Sequence, residues 1–111
     1  MNISEVSKTT GISQETLRYY EKIEILPKIS RSKGGIRQYK RSDLEWIRFI
    51  KEMRVVGVSI DSLKEYLQYC NDNQGEKCKI LLEIQKKELE KKNYQITKAL
   101  LLLSEIIEQH S

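Results

Sequence analysis

From Glu76 to Gln109 the chain runs without a glycine or a proline. A single helix over this stretch would be on the order of 50 Å long at 1.5 Å per residue. Its candidate seam is Leu82, Gln85, Leu89, Lys92, Ile96, Ala99, Leu103 and Ile106, alternately three and four residues apart. Glu83 with Lys87 and Glu88 with Lys92 are i,i+4 pairs that favour the helix. Gln85 and Lys92 interrupt the seam, which becomes strongly apolar at Ala99-Leu100-Leu101-Leu102-Leu103. A lone helix of this kind exposes more apolar surface than a monomer tolerates. Two ways of covering it stay open: a second copy in a two-stranded coiled coil, or folding back onto the rest of the chain.

The segment before this helix is built from shorter pieces. Residues 4–10 read as a helix with Ser4 as cap, ended by Gly11 in the way of a glycine past a helix C-terminus. Ser13 is placed to cap a second helix from about Gln14 to Ile23, with Glu15 favoured in its first turn by the helix dipole. Ile12 and Leu17 point to a core, leaving Gln14, Thr16, Arg18 and one of Tyr19 and Tyr20 outward. Donors of different lengths on one exposed helical face suit phosphate and base-edge contacts. Two short helices around a glycine turn form a helix-turn-helix pattern, although many helical hairpins share it.

Pro27 ends the second helix segment. Beyond it, Gly34-Gly35 suits the positive-φ geometry of a tight hairpin whose arms carry Arg31, Lys33 and Arg37, a small basic wing. Tyr39 is placed to pack its ring inward while its hydroxyl reaches a phosphate. Ser42 and Glu45 have the spacing of a capping box. The helix they open runs to about Val55 and buries Leu44, Ile47 and Ile50, with Met53 at the margin and Trp46 and Phe49 as further core. Arg54 closes it, as a phosphate contact or as a cation favoured by the helix dipole. After Gly57, Ser59 caps a fourth helix with apolar positions Ile60, Leu63, Leu67 and Cys70. The polar loop Asn71-Asp72-Asn73-Gln74-Gly75 divides a head, residues 1–71, from the long helix, residues 72–111.

Charge placement supports a polyanion-binding head. Residues 1–70 hold thirteen Lys/Arg against nine Asp/Glu, and residues 71–111 hold seven of each. Residues 18–41 alone hold eight basic side chains against two acidic ones. A basic window in an otherwise balanced chain is a local electrostatic footprint. No apolar run approaches the roughly 20 residues that span a bilayer, and no signal-peptide pattern opens the chain. With two cysteines, the expected setting is a reducing cytoplasm. No nucleophile–base pair, phosphate-cradling glycine loop or paired carboxylates emerge, so no enzyme is expected.

The local words and their order resemble the MerR family of bacterial transcription regulators. The resemblance is carried by Ile3-Ser4-Glu5-Val6, Thr10-Gly11-Ile12-Ser13, Thr16-Leu17-Arg18-Tyr19-Tyr20-Glu21, Gly35-Ile36-Arg37-Gln38-Tyr39, Asp43-Leu44, Met53-Arg54 and Gly57-Val58-Ser59-Ile60. It implies a mainly α fold: a winged helix-turn-helix domain with a small β-hairpin wing, then a long helix forming an antiparallel coiled coil in a homodimer. It further implies binding to a pseudo-palindromic promoter element whose spacer DNA is distorted, with RNA polymerase acting at the same promoter, in response to a stress or small-molecule signal. The DNA-contacting residues implied are Thr16, Arg18, Tyr19, Tyr20, Arg37, Tyr39 and Arg54. Helical position adds Gln14, and charge adds Arg31 and Lys33. For dimerisation the expected residues are Leu82, Leu89, Ile96, Ala99, Leu100, Leu103 and Ile106. The competing expectation is a coiled-coil protein-interaction module that binds no DNA.

Departures from the family pattern bear on the signal. The sequence ends at Ser111, where metal-sensing members carry a cysteine loop, and no drug-binding domain is expected. No cysteine lies in the third helix, the site used by some electrophile sensors. Cys70 and Cys78 remain, as candidate redox residues or as thiols that are simply packed or exposed. With no third Cys or nearby His they cannot complete a tetrahedral zinc site within one subunit, so neither metal nor cofactor is expected.

Overall fold

Helix α1 spans Ile3–Thr10 and begins earlier than Ser4 suggests, because Asn2 is the cap. Asn2 Oδ1 accepts from the Glu5 amide at 2.9 Å, and Glu5 Oε1 accepts from the Asn2 amide at 3.1 Å. This reciprocal pair satisfies two amides that the first turn leaves free. Gly11, at φ 76°, closes the helix by donating to the Ser7 carbonyl at 2.9 Å. The turn that follows is fixed from inside. The buried Thr10 hydroxyl donates to the Val6 carbonyl and accepts from the Ile12 amide, while Lys51 Nζ donates to the Thr10 carbonyl at 2.6 Å.

Helix α2 covers Gln14–Lys22, with Ser13 Oγ accepting from the Thr16 amide at 3.1 Å as its capping residue type requires. It ends in two nested bonds, Ile25 N to Tyr20 O and Glu24 N to Glu21 O, a Schellman arrangement. Glu24 occupies its left-handed position at φ 61°, where glycine is usual and an L side chain costs roughly 1–2 kcal/mol.

The wing is an antiparallel pair, β1 (Ser30–Arg31) and β2 (Arg37–Gln38), registered Ser30 to Gln38 and Arg31 to Arg37. Gly35 N donates to Ser32 O at 2.9 Å, with Gly35 left-handed at φ 79°. Only Gly35 needs the positive φ that the pair Gly34-Gly35 suggests; a Cβ on Gly34 would find its nearest neighbour at 4.0 Å. Met1 and Tyr39 exchange backbone hydrogen bonds of 2.9 and 2.7 Å, tying the start of the chain to the base of the wing.

Helix α3 (Arg41–Val55) also starts differently from the Ser42–Glu45 expectation. Asp43 fills the role, its carboxylate accepting from the Lys40 amide at 2.8 Å, and Ser42 lies within the first turn. An anion in the first turn gains from the helix dipole as well as from the hydrogen bond. The turn after α3 repeats the Schellman pattern, with Gly57 at φ 92° and Val58 N bonded to Met53 O. Ser59 then caps α4 (Ile60–Asn71) through the Ser62 amide at 3.1 Å.

The core of the head is Val6, Leu17, Ile25, Ile47, Ile50 and Leu63, all fully buried. Each such side chain contributes roughly 1.5–3 kcal/mol. Leu44, Trp46, Phe49 and Met53 are half-buried at its margin rather than central. In α4 the buried line runs through Leu63 and Tyr66, leaving Ile60, Leu67 and Cys70 half-buried.

The structure is a computed structural model that describes every residue except residue 73. Two compact units result, Met1–Gly75 and Glu76–Ser111. The second holds all but the first residue of helix α5, Gly75–Gln109, in which no residue is buried. Ile96, Leu100 to Leu103, Ile106 and Ile107 all stand open to solvent, each more than half exposed. No helix among the described residues is long and apolar enough to cross a membrane.

Candidate nucleic-acid interface

Helix α2 presents a polar face because Leu17 turns its opposite side into the core. On that face Arg18 Nη2 donates to Gln14 Oε1 at 3.3 Å, one helical turn back, which limits the freedom of a long side chain. Thr16 Oγ1 accepts from Ser13 Oγ at 2.8 Å and is half-buried. Tyr19 is 50% exposed, with Tyr20 half-buried beside it at 6.3 Å between ring centroids. The outward tyrosine is therefore Tyr19.

The wing is joined to α2 through charge. Glu21 divides its two carboxylate oxygens between the arms of the hairpin: Oε1 lies 3.2 Å from Arg31 Nη2, and Oε2 lies 2.6 Å from Arg37 Nε. Arg31 also donates through Nη1 to the Gly35 carbonyl at 3.0 Å, which braces the wing tip. Glu21 thus ties Arg31 and Arg37 of the wing to the helix that carries Arg18, and all three arginines act electrostatically on the Tyr39 hydroxyl. Lys33 is exposed at the tip.

Tyr39 sits otherwise than its expected role suggests. Only 3% of it is exposed, and its hydroxyl is buried without a hydrogen-bond partner. Burial, reinforced by Glu21 and opposed by the three arginines, raises its pKa above the ordinary tyrosine value. Arg54 is likewise engaged, donating through Nη1 to the Val58 carbonyl at 2.7 Å, so it closes the turn between α3 and α4.

Cys70 in α4 and Cys78 in α5 are both disulfide-bonded, so neither is the packed or exposed thiol that stood as the alternative to a redox role. Among the described residues no group of three or more His, Cys, Asp or Glu is placed to hold a metal ion. The residue that sequence reasoning missed is Glu21, noticed only as part of a motif. The one available signal was its position as one of two carboxylates inside the basic window of residues 18–41.

A recognition-type helix capped by Ser13, a hairpin wing locked to it, and a cationic surface shared by both define a winged helix-turn-helix protein. The sequence profile of the MerR HTH family of regulatory proteins matches residues 1–70. The chain belongs to the MerR family. It is 48% identical over 66 residues to the HTH-type transcriptional regulator AdhR of Bacillus subtilis, covering 60% of this chain and 47% of that protein. It is 36% identical over 76 residues to the regulator ZntR of Escherichia coli K12, covering 68% of this chain and 54% of that protein. The chain thus spans about half the length of the curated relatives it matches. Among solved structures, a Listeria monocytogenes protein assigned to MerR family transcriptional regulators superposes with a TM-score of 0.92 at 36% identity, covering 99% of this chain and 85% of that one. HiNmlR, a MerR family regulator lacking the sensor domain and solved bound to promoter DNA, gives 0.83 at 27% identity over 93% of this chain and 83% of that one.

Proposed function

We propose that the chain is a transcription regulator that binds a pseudo-palindromic promoter element as a homodimer and distorts the spacer between half-sites, with RNA polymerase as its partner there. The observation that carries this reading is the continuity of the α2 face with the wing: Gln14, Arg18 and Tyr19 stand on the helix, and Glu21 brings Arg31 and Arg37 against it. The similarity to a regulator solved on promoter DNA supports it. In this reading Thr16, Tyr20 and Lys33 complete the contact surface, Tyr39 supports the wing from within the core, and Arg54 acts from the turn between α3 and α4. Two heads on one duplex would sit roughly 34 Å, or a multiple, apart. The cost of deforming the DNA between them would be offset by contacts at both ends.

The exposed face of α5 supports the dimer. At 100° per residue, Cys78, Leu82, Gln85, Leu89, Lys92, Ile96, Leu100, Leu103 and Ile107 fall within roughly 40° of one line along the helix. An antiparallel pairing that overlaps the two helices fully sets Leu82 against the partner's Leu103, Leu89 against the partner's Ile96, and Gln85 against the partner's Leu100. Lys92 then meets the partner's Asn93 at the centre, where both are polar. The same register brings Glu108 opposite the partner's Lys77, so the ends attract. Ala99 and Ile106 flank the seam and widen it.

Footprinting on the promoter beside its own gene tests this reading. Two protected half-sites with enhanced cleavage between them are expected, and the affinity should fall with salt at a log–log slope of about −0.9 per neutralised phosphate. A salt-independent affinity, or protection of a single half-site, would count against it.

A second reading, control by thiol oxidation, is favoured by the bonded state of Cys70 and Cys78. Operator binding or DNA distortion should then differ between oxidised and reduced protein, and a double Cys70→Ser, Cys78→Ser variant should lose that difference. Identical footprints under both conditions would end the idea.

A further inference from the structure

We propose that Glu21 is the positioning residue of the interface, the group that sets sequence selectivity by holding two wing arginines in fixed places on α2. The proposal rests on the DNA-binding reading above and adds a residue to it. A carboxylate on a surface meant for phosphates is electrostatically adverse, because it repels every phosphate that approaches. Glu21 nonetheless lies among the cations, about a quarter exposed, and each of its oxygens takes a different arginine.

The geometry explains its presence. Arg37 is gripped through Nε at 2.6 Å, which leaves its Nη groups unused by any described residue. Arg31 is held from both sides, by Glu21 through Nη2 and by the Gly35 carbonyl through Nη1. Free arginines would follow any polyanion with little regard for register. Pinned ones offer their remaining donors at set positions, and only a backbone that presents phosphates there gains the contacts. Glu21 therefore lowers affinity for arbitrary DNA while it preserves affinity for the matching site. That selectivity acts through backbone shape: phosphate contacts fix register, and sequence-dependent deformability decides how readily a duplex brings its phosphates to those positions.

The test compares wild type with Glu21→Gln, which keeps the side-chain shape and removes the charge. Three quantities are read: affinity for the footprinted operator, affinity for a random duplex of equal length, and the salt slope of each. The expected result is tighter random-duplex binding, a slope steeper by about 0.9 for each arginine released, and a roughly tenfold fall in the operator-to-random ratio. Exchange of the Arg37 Nε–H with solvent, followed by NMR without DNA, should speed up in the variant. Affinities that fall in parallel with unchanged slopes would show a merely structural role and overturn the proposal, and so would an unchanged ratio. If Glu21→Gln does not fold, Glu21→Asp decides: it keeps the charge but is one methylene too short to reach both arginines, and a wild-type ratio would overturn the proposal. Wild-type protein that binds no DNA would defeat the parent reading, while the Nε–H exchange still reports whether Glu21 holds the wing.

Discussion

Arg18→Ala is expected to abolish operator binding at physiological salt while leaving solution mass and melting temperature close to wild type. The side chain is exposed, and its only described partner is Gln14 on the same helix, so the head loses no core contact. Losing one specific arginine contact weakens recognition by about 1–3 kcal/mol, and two-fold symmetry removes it from both half-sites. Together these give roughly a hundredfold loss or more. Fluorescence anisotropy with a labelled operator measures this directly. An affinity within a factor of three of wild type would remove Arg18 from the interface.

Leu103→Asp is expected to have the second large effect, conversion of the proposed dimer to single chains. Leu103 is 58% exposed on α5 and lies on the proposed seam opposite the partner's Leu82. Truncating a packed leucine costs roughly 2–5 kcal/mol, the symmetry repeats the loss, and a carboxylate on each side adds desolvation. Operator affinity should fall with it, since avidity from joined heads contributes on the order of 10²–10⁴. Leu101→Asp is the matched control. Leu101 is equally open to solvent but lies roughly 140° away from the seam line at 100° per residue, so its mass by light scattering should stay dimeric. A dimeric Leu103→Asp protein, or equal dissociation of both variants, would dispose of the proposed pairing.

Local chemistry made much of the head legible. Ser13 and Ser59 cap where their position before an apolar run says they should, and Gly11 ends α1 in the left-handed conformation. What stayed hidden depends on neighbours distant in sequence. Glu21 reaches arginines ten and sixteen residues away, and no helical periodicity reports a bond across a wing. Tyr66 escaped because the 60, 63, 67, 70 spacing sets the buried line one position off, and packing selected 63 and 66. At α1 and α3 several polar residues competed to cap, and those that won were Asn2, with Glu5 in return, and Asp43. Tyr39 illustrates a different limit. Its ring faces inward as expected, but the depth that strands its hydroxyl follows from the whole head closing over it.

The single tryptophan has a use that its packing dictates. Trp46 packs against Phe49 with ring centroids 4.9 Å apart and planes tilted by 34°, and donates its indole N–H to the Ile25 carbonyl at 2.8 Å, in the stretch linking α2 to the hairpin. Its emission should therefore shift whenever that linking stretch is pulled, although the ring is not among the proposed DNA contacts. The protein carries its own optical strain gauge, readable in a stopped-flow cell without a dye or a label.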